Sequence, residues 1–322
     1  MPFNPKQISI MRSGAIGDFV LTLPAVNALR AAYPRAHLQL IGNPSILRLA
    51  PLKDHVDVNS AEVAGLYNPV GPVPERTRTL FSDVDLLLAY AVDTDRSLQS
   101  RLTEIVSGRA VVYDPRPTGG VHVVEHLLTP LRWMGIPASD PMPRIRPAVD
   151  ELAQAGEILK RHGLASPLIA IHPGSGGRDK CWPLTSYFEL ARRLATRGAG
   201  VMAVCGPVER DVVDELPAHL TCLVPRDLRS LAALLHAADL FIGNDSGPGH
   251  IAAAVGTPTL TLFGPTDAET WAPRHSLARI LKSPGGHLPA LSVEAVLNAA
   301  LEMIAAERSR PPDSSRSQSV ST

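Results

Sequence analysis

Short apolar runs recur along the chain, separated by segments whose apolar residues fall three and four apart. In the second half the runs are PLIAI (167–171), GVMAVCG (200–206), LTCLV (220–224), LFIG (240–243) and TLTLFG (259–264). Runs of this length, rich in Val, Ile and Leu and bounded by Gly, Pro or Asp, read as buried strands. Between them, Tyr187, Leu190, Ala191 and Leu194, and then Leu228, Leu231, Leu234 and Leu235, repeat with the period of a helix that buries one face. A chain that alternates strand and helix in this way forms a parallel sheet with helices on both faces. The first half repeats the theme with ISIMR (8–12), HLQLIG (37–42), VDLLLAY (84–90) and GRAVVYD (108–114), and with helical runs around 19–32 and 122–135. A second doubly wound α/β sheet is predicted there.

Two stretches break the pattern. Residues 59–80 carry no clear period and are rich in Pro and Gly, which predicts a long loop or an insertion near a ligand. GIPASDPMPRIRP (135–147) holds four prolines, the composition of an extended linker. The boundary is placed at its end, giving an N-terminal domain over 1–147 and a C-terminal domain over 148–307. The last residues, RSRPPDSSRSQSVST (308–322), are almost free of apolar side chains and predict a disordered tail. Two Rossmann-like domains facing a cleft are expected, with ligands at the carboxyl ends of the strands.

Composition narrows the function more than the fold. The 322 residues include 31 basic and 31 acidic side chains, so no general field gathers nucleic acid. Cys181, Cys205 and Cys222 are far apart in sequence and form no CxxC pair, which favours a reducing cytoplasm over a disulfide framework or structural zinc site. The chain lacks an apolar run of membrane-spanning length, and its N-terminus lacks the apolar core of a signal peptide. A cytoplasmic monomer is expected, with peripheral contact at the inner face of the cytoplasmic membrane left open.

Three loops at predicted strand ends carry candidate chemistry. In RSGAIGDFVLTLP (12–24), Gly14 and Gly17 permit close backbone approach and precede Asp18 at a helix start. Asp18 is placed to act as a general base, or simply to cap the helix and complement its dipole. HPGSGGRDKCWP (172–183) offers Lys180 and Arg178 to neutralise a diphosphate, with Ser175 and backbone N–H groups around Gly176 as donors to its oxygens. Trp182 before Pro183 reads instead as packing. The third loop, FIGNDSGPGH (241–250), sets Asp245, Ser246 and Gly247 before a helix whose first turn holds His250, and such a terminus suits a nucleotide phosphate. Glu209 in GPVER (206–210) is a candidate acceptor for ribose hydroxyls. Asp245 and His250 lack a third ligand at metal-binding spacing, so no metal and no other cofactor are expected.

These segments resemble the signature regions of glycosyltransferase family nine, the ADP-heptose:lipopolysaccharide heptosyltransferases and their relatives. GDFVLTLPAVNALRAAYP, HPGSGGRDKCWP and GNDSGPGHIAAAVGTPTLTLFGPTD carry the resemblance in the family's order, over about residues 7–305. HVVEHLLTPLRWMGI (122–136) is similar to the helix that precedes the family's linker, where a His and Glu pair is often found. Pro248 and Gly249 depart from the Leu and larger residue usual in the third region, and the acceptor side has no obvious basic cluster.

The resemblance implies a GT-B fold with the acceptor on the N-terminal domain and the nucleotide-sugar donor on the C-terminal one. It implies Asp18 as the base, Lys180 at the donor phosphates, and Asp245, Ser246, Gly247 and His250 as the donor loop, with Glu209 at the ribose. The expected activity is inverting, metal-independent transfer of a sugar, heptose by resemblance, from an ADP-linked donor to a hydroxyl of a glycan or lipopolysaccharide core acceptor. Another nucleotide-sugar, or nucleotide binding without turnover, are the alternatives.

Overall fold

The structure is a computed structural model that describes residues 3–68, 71–206, 215–217 and 220–309. The chain divides into two compact units, Met1–Pro143 and Arg144–Thr322, the division falling inside the Pro-rich segment.

The first unit is built on five parallel strands: β1 (Gln7–Arg12), β2 (His37–Gly42), β3 (His55–Asp57), β4 (Leu86–Tyr90) and β5 (Arg109–Tyr113). Their order across the sheet is β3-β2-β1-β4-β5, so the direction of winding reverses between β1 and β4, where Arg12 lies opposite Tyr90. The central strands are mostly apolar because helices cover both faces, and all five residues of β4 are buried. The helical run around 19–32 is two helices, Ile16–Val20 and Leu23–Ala32. Pro24 explains the break, since it has no N–H and its ring obstructs the carbonyl four residues earlier.

Residues 59–80 differ from the loop predicted there. They include the helix Ala61–Ala64, a 3-10 turn at Gly65–Tyr67 and the start of the helix Glu75–Phe81. Val63, Leu66, Val73 and Phe81 join Met11, Leu87 and Leu102 in one buried cluster. Elements of one or two turns are too short to show a period, and the intervening Pro and Gly mask their apolar anchors.

The second unit carries six parallel strands: β6 (Leu168–His172), β7 (Gly200–Val204), β8 (Thr221–Leu223), β9 (Leu240–Asn244), β10 (Thr259–Phe263) and β11 (Ala278–Lys282). Their order is β11-β10-β9-β6-β7-β8, the full Rossmann pattern, with its reversal between the paired strands β6 and β9. The helices Leu184–Ala195 and Val293–Arg308 bury Tyr187, Leu190, Leu194, Val296, Leu297 and Ala300 against Ile169, Ile171, Ile242 and Leu260 of the sheet. Among the described residues no helix is long and apolar enough to cross a membrane. Residues 310–322, most of the expected tail, lie outside the described residues.

Because the 59–81 segment is core, Leu66→Ala, at a side chain 2% exposed, should lower the stability of the first unit by about 2–5 kcal/mol. Urea unfolding followed by circular dichroism measures it. An unchanged midpoint would return the segment to the class of surface loops.

Candidate active site

In the second unit the loops after β6 and β9 flank the point of reversal, which is where open α/β sheets hold ligands. One buried side chain ties them together. Asn244, the last residue of β9, is 0% exposed. Its Oδ1 accepts the Trp182 backbone N–H at 3.0 Å and the Tyr187 hydroxyl at 3.0 Å. Its Nδ2 donates to the carbonyls of Pro173 at 2.8 Å and Gly174 at 3.3 Å. Both ends of the first loop, 173–174 and 182, are therefore fixed to the start of the second. Trp182 is itself core: its indole N–H donates to the Leu291 carbonyl at 2.8 Å, and its ring meets Tyr187 edge-on. A further tie comes from Ser175, whose hydroxyl donates to the Asp245 carbonyl at 2.8 Å.

What the tied loops present is one cation, one acid and a helix start. Lys180 Nζ stands 3.6 Å from Asp245 Oδ2, with the lysine side chain 38% exposed and the aspartate 12%. Ser246 caps the helix Gly247–Ala254 by position but not by its side chain, and its Oγ is buried without a hydrogen-bond partner. Pro248 has no N–H to offer, and the Gly249 N–H bonds the Ser246 carbonyl at 3.1 Å. Gly176 and Arg178 are exposed, whereas His250 is buried at 6% exposure on the first helical turn. Glu209 lies outside the described residues.

In the first unit Asp18 sits in the short helix after β1, at that sheet's own reversal point. Its Oδ2 accepts the Ala15 N–H at 2.9 Å, and its Oδ1 accepts from Arg12 Nη2 at 3.0 Å. The capping role thus exists, and it leaves the carboxylate side chain 30% exposed. Gly14 makes this possible. At φ +130° it occupies backbone space that L side chains rarely adopt, and a Cβ there would stand 2.7 Å from Asp18 Oδ2. Gly17 is half-buried within the same helix.

Comparison with known proteins bears on what such loops do. The model of glycosyltransferase family 9 (heptosyltransferase) matches residues 111–300, more than half of the chain. The chain belongs to glycosyltransferase family 9. Lipopolysaccharide heptosyltransferase 3 of Escherichia coli K12 is 29% identical over 287 residues, which cover 80% of this chain and 82% of that protein. The crystal structure of a family 9 glycosyl transferase from Veillonella parvula superposes with a TM-score of 0.79 at 21% identity, covering 95% of this chain and 99% of that one. The E. coli ADP-heptose lps heptosyltransferase II gives 0.75 at 20% identity, covering 94% and 100%. The fold of this family 9 chain is therefore GT-B, α/β with two Rossmann-like domains.

Within that family frame, two residues at these loops were not singled out from the sequence. Arg12 ends an apolar strand and looks like a strand-terminal charge, and Asn244 hides in a turn-like NDSG run. The Ser175 hydroxyl donates to the Asp245 carbonyl and so ties the two loops.

Asn244→Ala should orphan the Trp182 N–H and the Tyr187 hydroxyl in the core. The expected loss is about 2–4 kcal/mol of second-unit stability, together with weakened ADP binding. Urea unfolding and titration calorimetry measure the two. Intact nucleotide affinity in a destabilised variant would show that the loops hold their geometry without this amide.

Proposed function

We propose that this family 9 chain transfers a heptose from an ADP-linked donor to a hydroxyl of a lipopolysaccharide core, with inversion at the anomeric carbon and without a metal ion. The observation that carries the reading is the Lys180–Asp245 pair, held by tied loops at the point of reversal of the second sheet. At 3.6 Å, with the lysine part-exposed, the pair is loose, on the order of the 0–1 kcal/mol of a surface ion pair, so an incoming diphosphate can take Lys180 from Asp245 at little cost. The buried, unpartnered Ser246 hydroxyl and the start of the helix Gly247–Ala254 add neutral donors beside it. Support for the sugar and the acceptor comes from the names of the similar E. coli proteins, a lipopolysaccharide heptosyltransferase and an ADP-heptose enzyme.

In the reaction, the acceptor oxygen forms its bond to the anomeric carbon as the bond from that carbon to the diphosphate breaks. ADP leaves with the bonding pair, and Lys180 stabilises the charge that develops on it. The acceptor proton passes to the free lone pairs of Asp18. A glycolipid acceptor is anchored by its acyl chains, which brings the enzyme to the cytoplasmic face of the membrane.

Asp18→Asn keeps the shape and the helix-capping ability but accepts no proton at neutral pH. Transfer should fall roughly a hundredfold to ten-thousandfold while ADP affinity holds, as read by coupled ADP release and calorimetry. Near-parental turnover would remove Asp18 from the chemistry.

Lys180→Ala should weaken donor binding and slow transfer together, by about tenfold to a hundredfold for a lost charge-assisted phosphate contact. Unchanged kinetics would leave Lys180 as a solvated charge. Turnover should also survive EDTA, whereas loss of activity restored by added magnesium or manganese would overturn the metal-free reading.

A further inference from the structure

Arg12 has features of a residue kept for one purpose. It is the last residue of β1, 7% exposed, in the middle strand of a five-stranded sheet whose buried side chains are mostly apolar, Ile8, Ile10, Leu40, Leu86 and Leu88 among them. Burial pushes the guanidinium below its ordinary pKa, and attraction to Asp18 and Tyr90 opposes that shift. Its Nη2 donates to Asp18 Oδ1, while its Nε is buried without a partner. A fold that needed only stability there would place an apolar side chain, because a buried arginine with unfilled donors is costly. What the arginine does is grip Asp18.

The grip is directional. Arg12 holds Oδ1 from the strand side and the Ala15 N–H holds Oδ2 from the loop side, so both carboxylate oxygens are pinned. The Thr22 hydroxyl donates to the Asp18 carbonyl at 2.8 Å and fixes the backbone beneath. Rotation about the Cβ–Cγ bond is suppressed, and the remaining lone pairs keep one orientation. A proton acceptor must meet the departing proton within hydrogen-bond reach, so fixing its orientation is worth part of the rate.

The geometry points to Arg12 as the positioning residue of the transfer reaction: a strand-end guanidinium that holds the Asp18 carboxylate in one fixed orientation for the acceptor hydroxyl. This rests on the reading of Asp18 as the base. Arg12 touches neither donor nor acceptor in this scheme and acts only through Asp18.

A double-mutant cycle separates the two ideas. Asp18→Asn, Arg12→Met and the combined variant are assayed for turnover, for donor KM and for ADP affinity. Arg12→Met fills the site with an apolar chain of similar length, and Arg12→Gln replaces it in the cycle if that variant does not fold. The expected result for Arg12→Met is a tenfold to hundredfold fall in kcat with donor KM and ADP affinity unchanged, the size of a lost charge-assisted hydrogen bond. Arg12→Lys should restore most of that loss, and the double variant should be no slower than Asp18→Asn alone. Parental turnover in Arg12→Met, or a further loss when the variants are combined, would overturn the assignment while leaving Asp18 as the base. Parental turnover in Asp18→Asn would remove the base reading, and the assignment with it.

Discussion

A carboxamide sealed from water must find all its hydrogen bonds within the protein, and Asn244 finds them at both ends of the loop after β6 and at Tyr187 of the helix that follows it. This constraint sets the rest of the second unit's site. Because Asn244 ends β9, its position follows from the register that pairs Ile242 with Ile171 and Leu262 with Asn244 itself. Because it holds both ends of the loop after β6, the path of that loop follows in turn. Lys180 therefore extends from a segment anchored at 173–174 and 182, and Asp245 from the residue next to the amide. The Lys180–Asp245 approach is thus a consequence of core packing carried outward, since a surface pair of this strength could not order a flexible loop by itself.

The first unit solves the same problem with charge. There the strand-end residue is Arg12, which donates to one oxygen of Asp18 while the Ala15 N–H donates to the other, so the carboxylate of the proposed reaction is held from two sides. A guanidinium makes a charge-assisted bond to that oxygen, stronger than a neutral amide would make. In the proposed reaction the charge that develops beside Lys180 belongs to the ligand, and a neutral amide at Asn244 holds the backbone without competing for it. The difference between Asn244 and Arg12 fits that scheme.

The sequence reveals the parts of this architecture that are buried on both faces. Strands β1, β4, β6, β9 and β10 are mostly apolar runs buried almost throughout, and each stands in the prediction. β3 and β11 do not. His55–Asp57 is three residues long, and Ala278–Lys282 is an edge strand whose Arg279 and Lys282 face solvent, so neither has the pattern of a buried strand. The candidate site was legible where motif residues are chemically distinctive, as with Asp18, Lys180 and Asp245. It was not legible where the role depends on a distant partner. Nothing local in NDSG says that its Asn reaches Trp182, 62 positions earlier in the chain. Nothing in ISIMR says that its Arg turns back to a carboxylate six residues on.

Charge conservation through the proposed step explains why the loops hold opposite endowments. As the sugar leaves ADP, negative charge grows on the diphosphate, and the groups that meet it are Lys180 and a helix start. As the acceptor oxygen attacks, positive charge would grow on its proton, and the group that meets it is a carboxylate. In that scheme Lys180 and Asp18 each supply the complement of the charge that develops on the group they meet. The resting state balances the same charges internally, Lys180 against Asp245 and Arg12 against Asp18. The two contacts differ in geometry: Lys180 reaches Asp245 at 3.6 Å with its side chain 38% exposed, and Arg12 bonds Asp18 at 3.0 Å with its side chain 6% exposed. In the proposed reaction, donor exchange opens the longer contact and leaves Asp18 held from one turnover to the next.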